Sequence, residues 1–450
     1  MSSEHATQNL PLSELLALII DHRGKTPKKL GFNDFYETGI PVLSAKHVKT
    51  GRLVETESMR FSSPEMYKKW MPVEVKKNDI IMTSEAPMGE VFLIETDQKY
   101  LLGQRVFGLR ANPEIINPKY LATWLSSNDG QQQLISRASG TTVQGIRQAE
   151  LLKIKVPVPT KTTQNTIANI SYSILNKIEL NRKTNETLEA MARTLFQAWF
   201  VDFEPVRAKM EGRWKRGQSL PGLPAHLYDL FPDRLVESEQ GEIPKGWRIS
   251  KIGDEVSVCG GGTPSTKEPS FWQDGTHCWA TPKDLSSLKT PILMDTDRKI
   301  TDKGLAKISS GLLPEGTVLL SSRAPIGYLA ITETQTAINQ GFIAMICSGT
   351  INNLYTLFWC QANMEAIVGR ANGSTFQEIS KSSFREIPII TPSSSALDCY
   401  QAMIRPLYSQ LVKNEKESCF LAQLRDTLLP RLMSGELRIP DAERIAQKAL

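Results

Sequence analysis

Cysteine is scarce and poorly placed for its usual tasks. Six are present, all from Cys259 onward, with no C-x-x-C pair and no histidine cluster near them. Zinc needs closely spaced soft ligands, so a structural metal site is not expected. A disulfide framework is equally unexpected in a long chain without an export signal. The five histidines are scattered singly. Long apolar runs are missing too: the longest, such as "LLALII", are about six residues, against the roughly 20 that a membrane span needs. The opening "MSSEHATQNL" has neither a basic region nor an apolar stretch. A cytoplasmic protein with no membrane partner is therefore expected. Strong charge of one sign is also absent. The net charge is +5, with 20 Lys/Arg against 17 Asp/Glu over residues 1–160 and 13 against 13 over 246–395. Phosphate neutralisation depends on local charge, so this balance neither demands nor forbids a nucleic-acid partner.

Catalytic signatures fail in turn. "GKT" at Gly24–Thr26 resembles the end of a phosphate-binding loop, but the glycine required five residues earlier is Ile19. "NPKY" (Asn117–Tyr120) approaches the base-gripping loop of adenine methyltransferases. Lys119 replaces the second proline, however, and no glycine-rich S-adenosylmethionine loop follows a strand. A helix start with Pro118 in its first turn explains it better. Pro64, Glu65 and Glu74–Lys76 sketch a metal-dependent nuclease, yet the matching part of the second half is "LLP" (Leu312–Pro314). No G-x-S-x-G elbow occurs.

What the chain does have is a second copy of itself. "RGKTP" (Arg23–Pro27) returns as "GGGTP" (Gly260–Pro264), and "EAPMGEVFLI" from Glu85 as "RAPIGYLAIT" from Arg323. "GQRVFGL" from Gly103 faces "NQGFIAM" from Asn339, and "ASGTTVQGI" from Ala138 faces "ANGSTFQEI" from Ala371. Matches in the same order at nearly constant offset define two copies of one domain of roughly 150 residues. Strand-like stretches such as "VFLIET" and "TVLLSS" alternate with helical ones such as "NPKYLATWLSSNDGQQQLISRA". An α/β or α+β domain rich in loops is expected.

A long amphipathic segment follows each copy. Its expected inward positions are Ile167, Ile170, Ile174, Ile178, Asn181, Asn185, Leu188, Met191, Leu195 and Trp199. The second set, each 233 residues later, is Tyr400, Met403, Leu407, Leu411, Asn414, Ser418, Leu421, Leu424, Leu428 and Leu432. Spacings of three and four mark a coiled-coil seam, and polar residues in mid-seam fix register. A helix of that length spans roughly 55 Å, about one and a half turns of B-DNA. Two antiparallel helices would thus hold two half-site readers at a set separation. The expected division is a first domain over 1–160, a helix over 161–203, a connector over 204–245, a second domain over 246–395, a helix over 396–437 and a tail over 438–450. The connector is read as having at most a short helix near Ala225–Glu237, and "RWKR" (Arg213–Arg216) as a solvated loop.

This pattern resembles the specificity subunit of type I restriction–modification systems over nearly the whole chain. "GEIPKGWRISKIGDEVSVCGGGTPS", the "G(S/T)T" segments, "MARTLFQAWFVDFEPVRAKMEG" and "LLPRLMSGELRIP" carry the resemblance. It implies a non-catalytic subunit with two target-recognition domains, each reading one half of a split, asymmetric site on double-stranded DNA. Two methyltransferase subunits would dock on the helices and connector, and restriction subunits would join them. S-adenosylmethionine, ATP and Mg²⁺ would belong to those partners, with no cofactor on this chain. A stand-alone methyltransferase or nuclease, or a coiled-coil scaffold with paired binding domains, is the alternative. Base edges and phosphates are contacted by Arg, Lys, Asn, Gln, Ser and Thr on loops. The expected DNA contacts are Arg23, Lys25, Lys46, His47, Gln104, Arg105, Thr141, Thr142 and Gln144 in the first domain. In the second they are Ser265, Lys283, Arg323, Asn339, Gln340, Ser374, Thr375 and Gln377. Ile178, Asn181, Leu188, Leu195, Trp199, Phe200, Leu411, Asn414, Leu421, Leu428 and Leu432 are expected to form the seam, with partner docking as a second role.

Overall fold

The computed structural model describes residues 7–140, 143–373 and 377–450. Thr141, Thr142, Ser374 and Thr375 lie outside the described residues. The chain divides into two compact units, Met1–Asn181 with Lys416–Leu450, and Arg182–Glu415.

The first unit is built on a four-stranded antiparallel sheet ordered Leu16–Asp21, Val106–Ala111, Ile80–Thr83, Val91–Leu93. Beside it, Ile40–Leu43 pairs antiparallel with Phe61–Ser62 and parallel with Leu101–Leu102. Gln8–Pro11 and Lys155–Val158 form a separate antiparallel pair. The second unit repeats each piece. Its larger sheet centres on Phe342–Ile346 and Val318–Ser322, its smaller one on His277–Ala280, and Arg248–Lys251 pairs with Pro388–Thr391.

The alternation expected of half-buried strands gives way to burial on both faces. In Ile80–Thr83 every residue is buried. Ile80 and Met82 join a core containing the helices, while Ile81 faces the core under the smaller sheet. Val318 and Leu320 against Leu319 repeat the division. A strand with an apolar layer on each side has no solvent face to make polar. The "NPKY" stretch does open a helix, Pro118–Ser126. Asn117 caps it by accepting from the Lys119 and Tyr120 amides, the usual N-cap chemistry.

The first long helix runs Lys161–Phe196 and continues into a π turn, Gln197–Val201; the second runs Ser394–Met433. In the first unit, Ile167, Ile170 and Ile174 are buried with Leu421, Leu428 and Leu432, and Ile178 packs against them. There the Asn181 amide donates to Glu417 Oε2 at 2.7 Å and Ser418 Oγ at 3.3 Å, and Lys177 pairs with the same glutamate. In the second unit Asn414 Nδ2 donates to Asn185 Oδ1 at 2.8 Å, and Asn185 Nδ2 to Glu415 Oε1 at 2.9 Å. These partners rise in number on one helix as they fall on the other, so the pairing is antiparallel. Leu188 and Leu411 share a small apolar cluster, and Leu195 packs on the main core of this unit.

Met191 and Met403 leave the expected seam and are exposed; Ala192 and Ile404, the next residue in each case, are buried instead. A straight helix drifts against a strict 3.5-residue repeat, so the inward position slips by one. Trp199 and Phe200 are buried among Phe196, Phe231, Trp247, Tyr355 and Tyr400. Their rings are core.

Two further expectations need correction. The connector holds a helix, Glu204–Met210, a 3-10 segment, Ala225–Leu230, and a hairpin, Leu235–Ser238 with Gly241–Pro244. Trp214, Leu227 and Phe231 anchor it as buried residues of the second unit's core. Arg213 pairs with Glu204 and Glu211, and Arg216 with Asp229. Residues after Leu437, expected as a tail, form the helix Ile439–Ala449, which buries Ala442 and Ala446 in the first unit's core. Alanine carries its apolar stripe, which composition alone does not reveal.

Asn185 and Asn414 satisfy each other where water is excluded, so the pair should behave as one element. Asn414→Ala is expected to cost the second unit about 1–3 kcal/mol, because it leaves a buried amide oxygen without its donor. Replacing both with leucine should cost less than either truncation. A double-mutant cycle in urea tests this; strictly additive losses would show the pair to be uncoupled.

Candidate nucleic-acid interface

Four loop segments converge in each domain, and short backbone hydrogen bonds hold them together. In the first domain the Ser84 amide donates to the Arg105 carbonyl at 2.8 Å, and the Ile146 amide to the Ser84 carbonyl at 2.9 Å. The turn after Ser84, the entry to strand Val106–Ala111 and the loop closing at Gly145 are thereby tied. In the second domain Ser322 donates to Gly341 at 2.8 Å, and Ile379 to Ser322 at 3.1 Å. Isolated bridges extend both frames: Glu85 and Ser139 to Gly145, and Arg323 and Asn372 to Glu378. Ala86–Pro87 and Ala324–Pro325 are both cis, each with its alanine at positive φ. The sequence repeats therefore correspond to the same three loops in space.

The opening loops complete each cluster. Arg23 forks onto Asp21 with bonds of 2.7 and 2.8 Å, lies 4.1 Å over the Phe107 ring and reaches the Ile146 carbonyl at 3.3 Å. Partial burial pushes the Asp21 carboxyl up, but the Arg23 hydrogen bonds outweigh it and hold it below its ordinary value. Lys25 Nζ donates to the Trp70 carbonyl at 2.6 Å, and burial pulls its ammonium down. In the second domain the Gly262 amide donates to Ile338, Trp279 Nε1 donates to Gly262, and Thr263 Oγ1 donates to Gln340.

The glycine shared by these loops has two different reasons. Gly24 has φ +86° and open space where a Cβ would stand, so only its backbone conformation demands glycine. At Gly261 a Cβ would lie 1.8 Å from the Ile338 carbonyl oxygen.

A cavity of about 220 Å³ in the first domain gathers Lys25, Lys46, His47 and Gln104 over an apolar floor that includes Phe35 and Trp70. Lys46 is exposed and donates to Ser58 Oγ at 2.9 Å. His47 is buried: its Nδ1 accepts the Ser44 amide at 3.1 Å in a capping box, and burial lowers its pKa. Its ring is therefore held by the fold. Thr281–Asp284 builds the same capping box 237 residues later, with Asp284 in the histidine's place and Lys283 matching Lys46. "SAKH" against "TPKD" is a repeat that sequence comparison does not reveal, because only the lysine is shared.

Gln104, Gln144, Gln340 and Gln377 are exposed. Arg105 is exposed and pairs with Glu85 at 3.0 Å; Arg323 is half-buried and pairs with Glu378 at 3.7 Å. Lys283 is exposed beside Asp297 at 3.4 Å. Asn339 is turned inward, its Oδ1 accepting the Gly341 amide at 2.8 Å. Ser265 is exposed, and its carbonyl accepts from Trp272 Nε1 at 3.0 Å. Sequence reasoning misses Glu85, Glu378, and an Arg298 guanidinium stacked 3.6 Å over Trp272. Among the described residues no group of three His, Cys, Asp or Glu could hold a metal, and no helix is long and apolar enough to cross a membrane.

Two copies of one α+β domain, each presenting polar loops on a rigid frame and joined through antiparallel helices, define a duplicated recognition protein. The chain belongs to the family described as type I restriction modification DNA specificity domain, whose model matches residues 7–190 and again 244–415. It is 26% identical over 409 residues to the type I restriction enzyme HindI specificity subunit of Haemophilus influenzae, covering 81% of this chain and 87% of that protein. It is 24% identical to the MjaIX specificity subunit of Methanocaldococcus jannaschii, covering 81% and 79%. A crystal structure of a type I restriction-modification S subunit from M. genitalium has the same fold, with a TM-score of 0.58, 16% identity, and coverage of 96% of this chain and 97% of that one. Membership supports a role in DNA recognition.

The two glycines should respond unequally to alanine. Gly24→Ala is expected to cost about 1–2 kcal/mol, the usual penalty of a left-handed backbone with a Cβ. Gly261→Ala should cost more, because Ile338 is sheet backbone and cannot yield. Urea unfolding of the two variants checks the order; equal losses would contradict it.

Proposed function

We propose that the chain is the DNA-reading subunit of a type I restriction–modification complex and performs no chemistry itself. Each domain reads one half of a split, asymmetric site on double-stranded DNA. The long helices set the unread spacer, and the helices and connector dock two methyltransferase subunits, which restriction subunits join. S-adenosylmethionine, ATP and Mg²⁺ act in those partners. A cytoplasmic location accords with this role.

One observation carries the reading. The same frame of loops occurs twice, bonded through Ser84 and through Ser322, while Glu85, Arg105 and Gly145 on one are Arg323, Gly341 and Glu378 on the other. A frame that holds still while its side chains vary suits base recognition, where position must be set before sequence can be read. Two frames with different side chains suit two different half-sites. Arg105, Gln104 and Gln144 in the first domain and Arg323, Gln340 and Gln377 in the second are proposed base or phosphate contacts. Arg23, Lys25, Lys46, Ser265, Lys283 and Asn339 are proposed to position or support them.

The isolated chain should neither methylate nor cleave DNA. With methyltransferase subunits it should direct adenine methylation to one split sequence, and with restriction subunits also present it should direct cleavage. Methylation by the chain alone would overturn the proposal. Removing one heptad from each long helix should change the unread spacer and leave both half-sites intact, as read by sequencing of methylated adenines.

A further inference from the structure

Three equivalent positions in the two loop clusters hold the same three residue types in a different order. On the turn, at the strand entry and on the closing loop, the first domain has Glu85, Arg105 and Gly145. The second domain has Arg323, Gly341 and Glu378. In each case the two side chains other than glycine pair, Arg105 Nε to Glu85 Oε1 at 3.0 Å and Arg323 Nη1 to Glu378 Oε2 at 3.7 Å. We propose that each arginine–carboxylate pair reads one G·C base pair. The inference rests on the DNA-reading role proposed above and specifies what part of each half-site must be.

The fold does not need these side chains. All four are more than a third exposed, at 54% and 40% in the first pair and 38% and 48% in the second. Ion pairs so open to water contribute little to stability. The backbone there is fixed independently by the bonds through Ser84 and Ser322. Opening the pair to admit DNA therefore costs little.

The chemistry then selects the base pair. A carboxylate on a DNA-facing loop is repelled by phosphate, so its favourable partner is an amino group on a base edge. A guanidinium presents two parallel donors and fits two adjacent acceptors, the O6 and N7 of guanine. The amino group beside them in the major groove is N4 of the paired cytosine, which donates to a carboxylate. One arginine and one glutamate in contact thus complement both bases of a G·C pair. Because the turn lies between the strand entry and the closing loop, the guanidinium stays on the strand-entry side of the carboxylate in both domains, and the pair as a whole is displaced by one loop. The two domains would then meet their G·C pairs at places offset by one loop on the same frame.

The test uses the complete chain in complex with its methyltransferase subunits, S-adenosylmethionine, and a DNA library randomised at both half-sites. Sequencing of methylated adenines reads the outcome. The unaltered complex should require at least one G·C pair in each half-site. Arg105→Gln or Glu85→Ala should relax a single G·C position of the first half-site by about 5- to 150-fold and leave the second half-site unchanged. Arg323→Gln or Glu378→Ala should do the reverse. Should a glutamine variant lose all methylation, Arg105→Lys and Arg323→Lys keep the charge without the two-pronged donor and should relax the same positions.

A half-site specified by A·T pairs alone would overturn the inference, as would variants that keep full base discrimination or weaken all sequences evenly. The last result would mark phosphate contacts. Failure of the unaltered complex to methylate any split sequence would instead count against the DNA-reading role itself.

Discussion

One serine backbone in each domain carries two hydrogen bonds on which the candidate interface depends. Ser84 donates to Arg105 and accepts from Ile146; Ser322 does the same with Gly341 and Ile379. Each bond contributes about 0.5–1.5 kcal/mol net, a modest amount, but the consequence is geometric. Three loops far apart in sequence are brought into register with one strand end, and the strand is held by apolar layers on both faces. Ser84 and Ser322 are themselves almost completely buried. The tie is therefore shielded from water, and an amide left without its partner there would be costly. Loop side chains can change without loosening the frame, provided these main-chain bonds persist.

The paired helices show the same separation of tasks. Leucine and isoleucine supply the apolar burial, and the asparagines determine how it is arranged. An all-apolar seam would tolerate sliding by a turn. Asn185 against Asn414, and Asn181 against Glu417 and Ser418, would each lose a partner in a shifted register. The stability surrendered by burying an amide is exchanged for a single alignment.

Legibility in the sequence follows the physical range of each feature. The duplicated domain is visible because its turns depend on specific residues, and turn chemistry is local. The Asn117 cap and the polar positions of the seam are visible for the same reason. Met191 and Met403 mislead because helix drift depends on what packs opposite, which spacing does not contain. The connector misleads because its prolines suggest an open chain, whereas Trp214, Leu227 and Phe231 give it a core to fold upon. Of the proposed contacts, the exposed glutamines and arginines follow from loop composition. His47 does not, because its role as a buried cap arises from a short helix start that propensity barely marks. The glutamates that pair with arginine are easily overlooked because acidic residues are discounted on a surface that meets phosphate.

Duplication within one chain also determines what can diverge. In a symmetric dimer any change on a loop appears in both halves, so the two half-sites must remain alike. Here each domain is encoded separately, and the record of divergence is readable in the frame. Gly24 and Gly261 occupy the same place, yet one answers to a left-handed backbone and the other to a carbonyl 1.8 Å from where a Cβ would stand. His47 and Asp284 close the same capping box with different chemistry. Glutamate, arginine and glycine have changed places around Ser84 and Ser322. The main-chain bonds through Ser84 and Ser322 persist in both domains while what the loops present is altered. That is the condition under which one half of a recognised sequence can change while the other stays as it was.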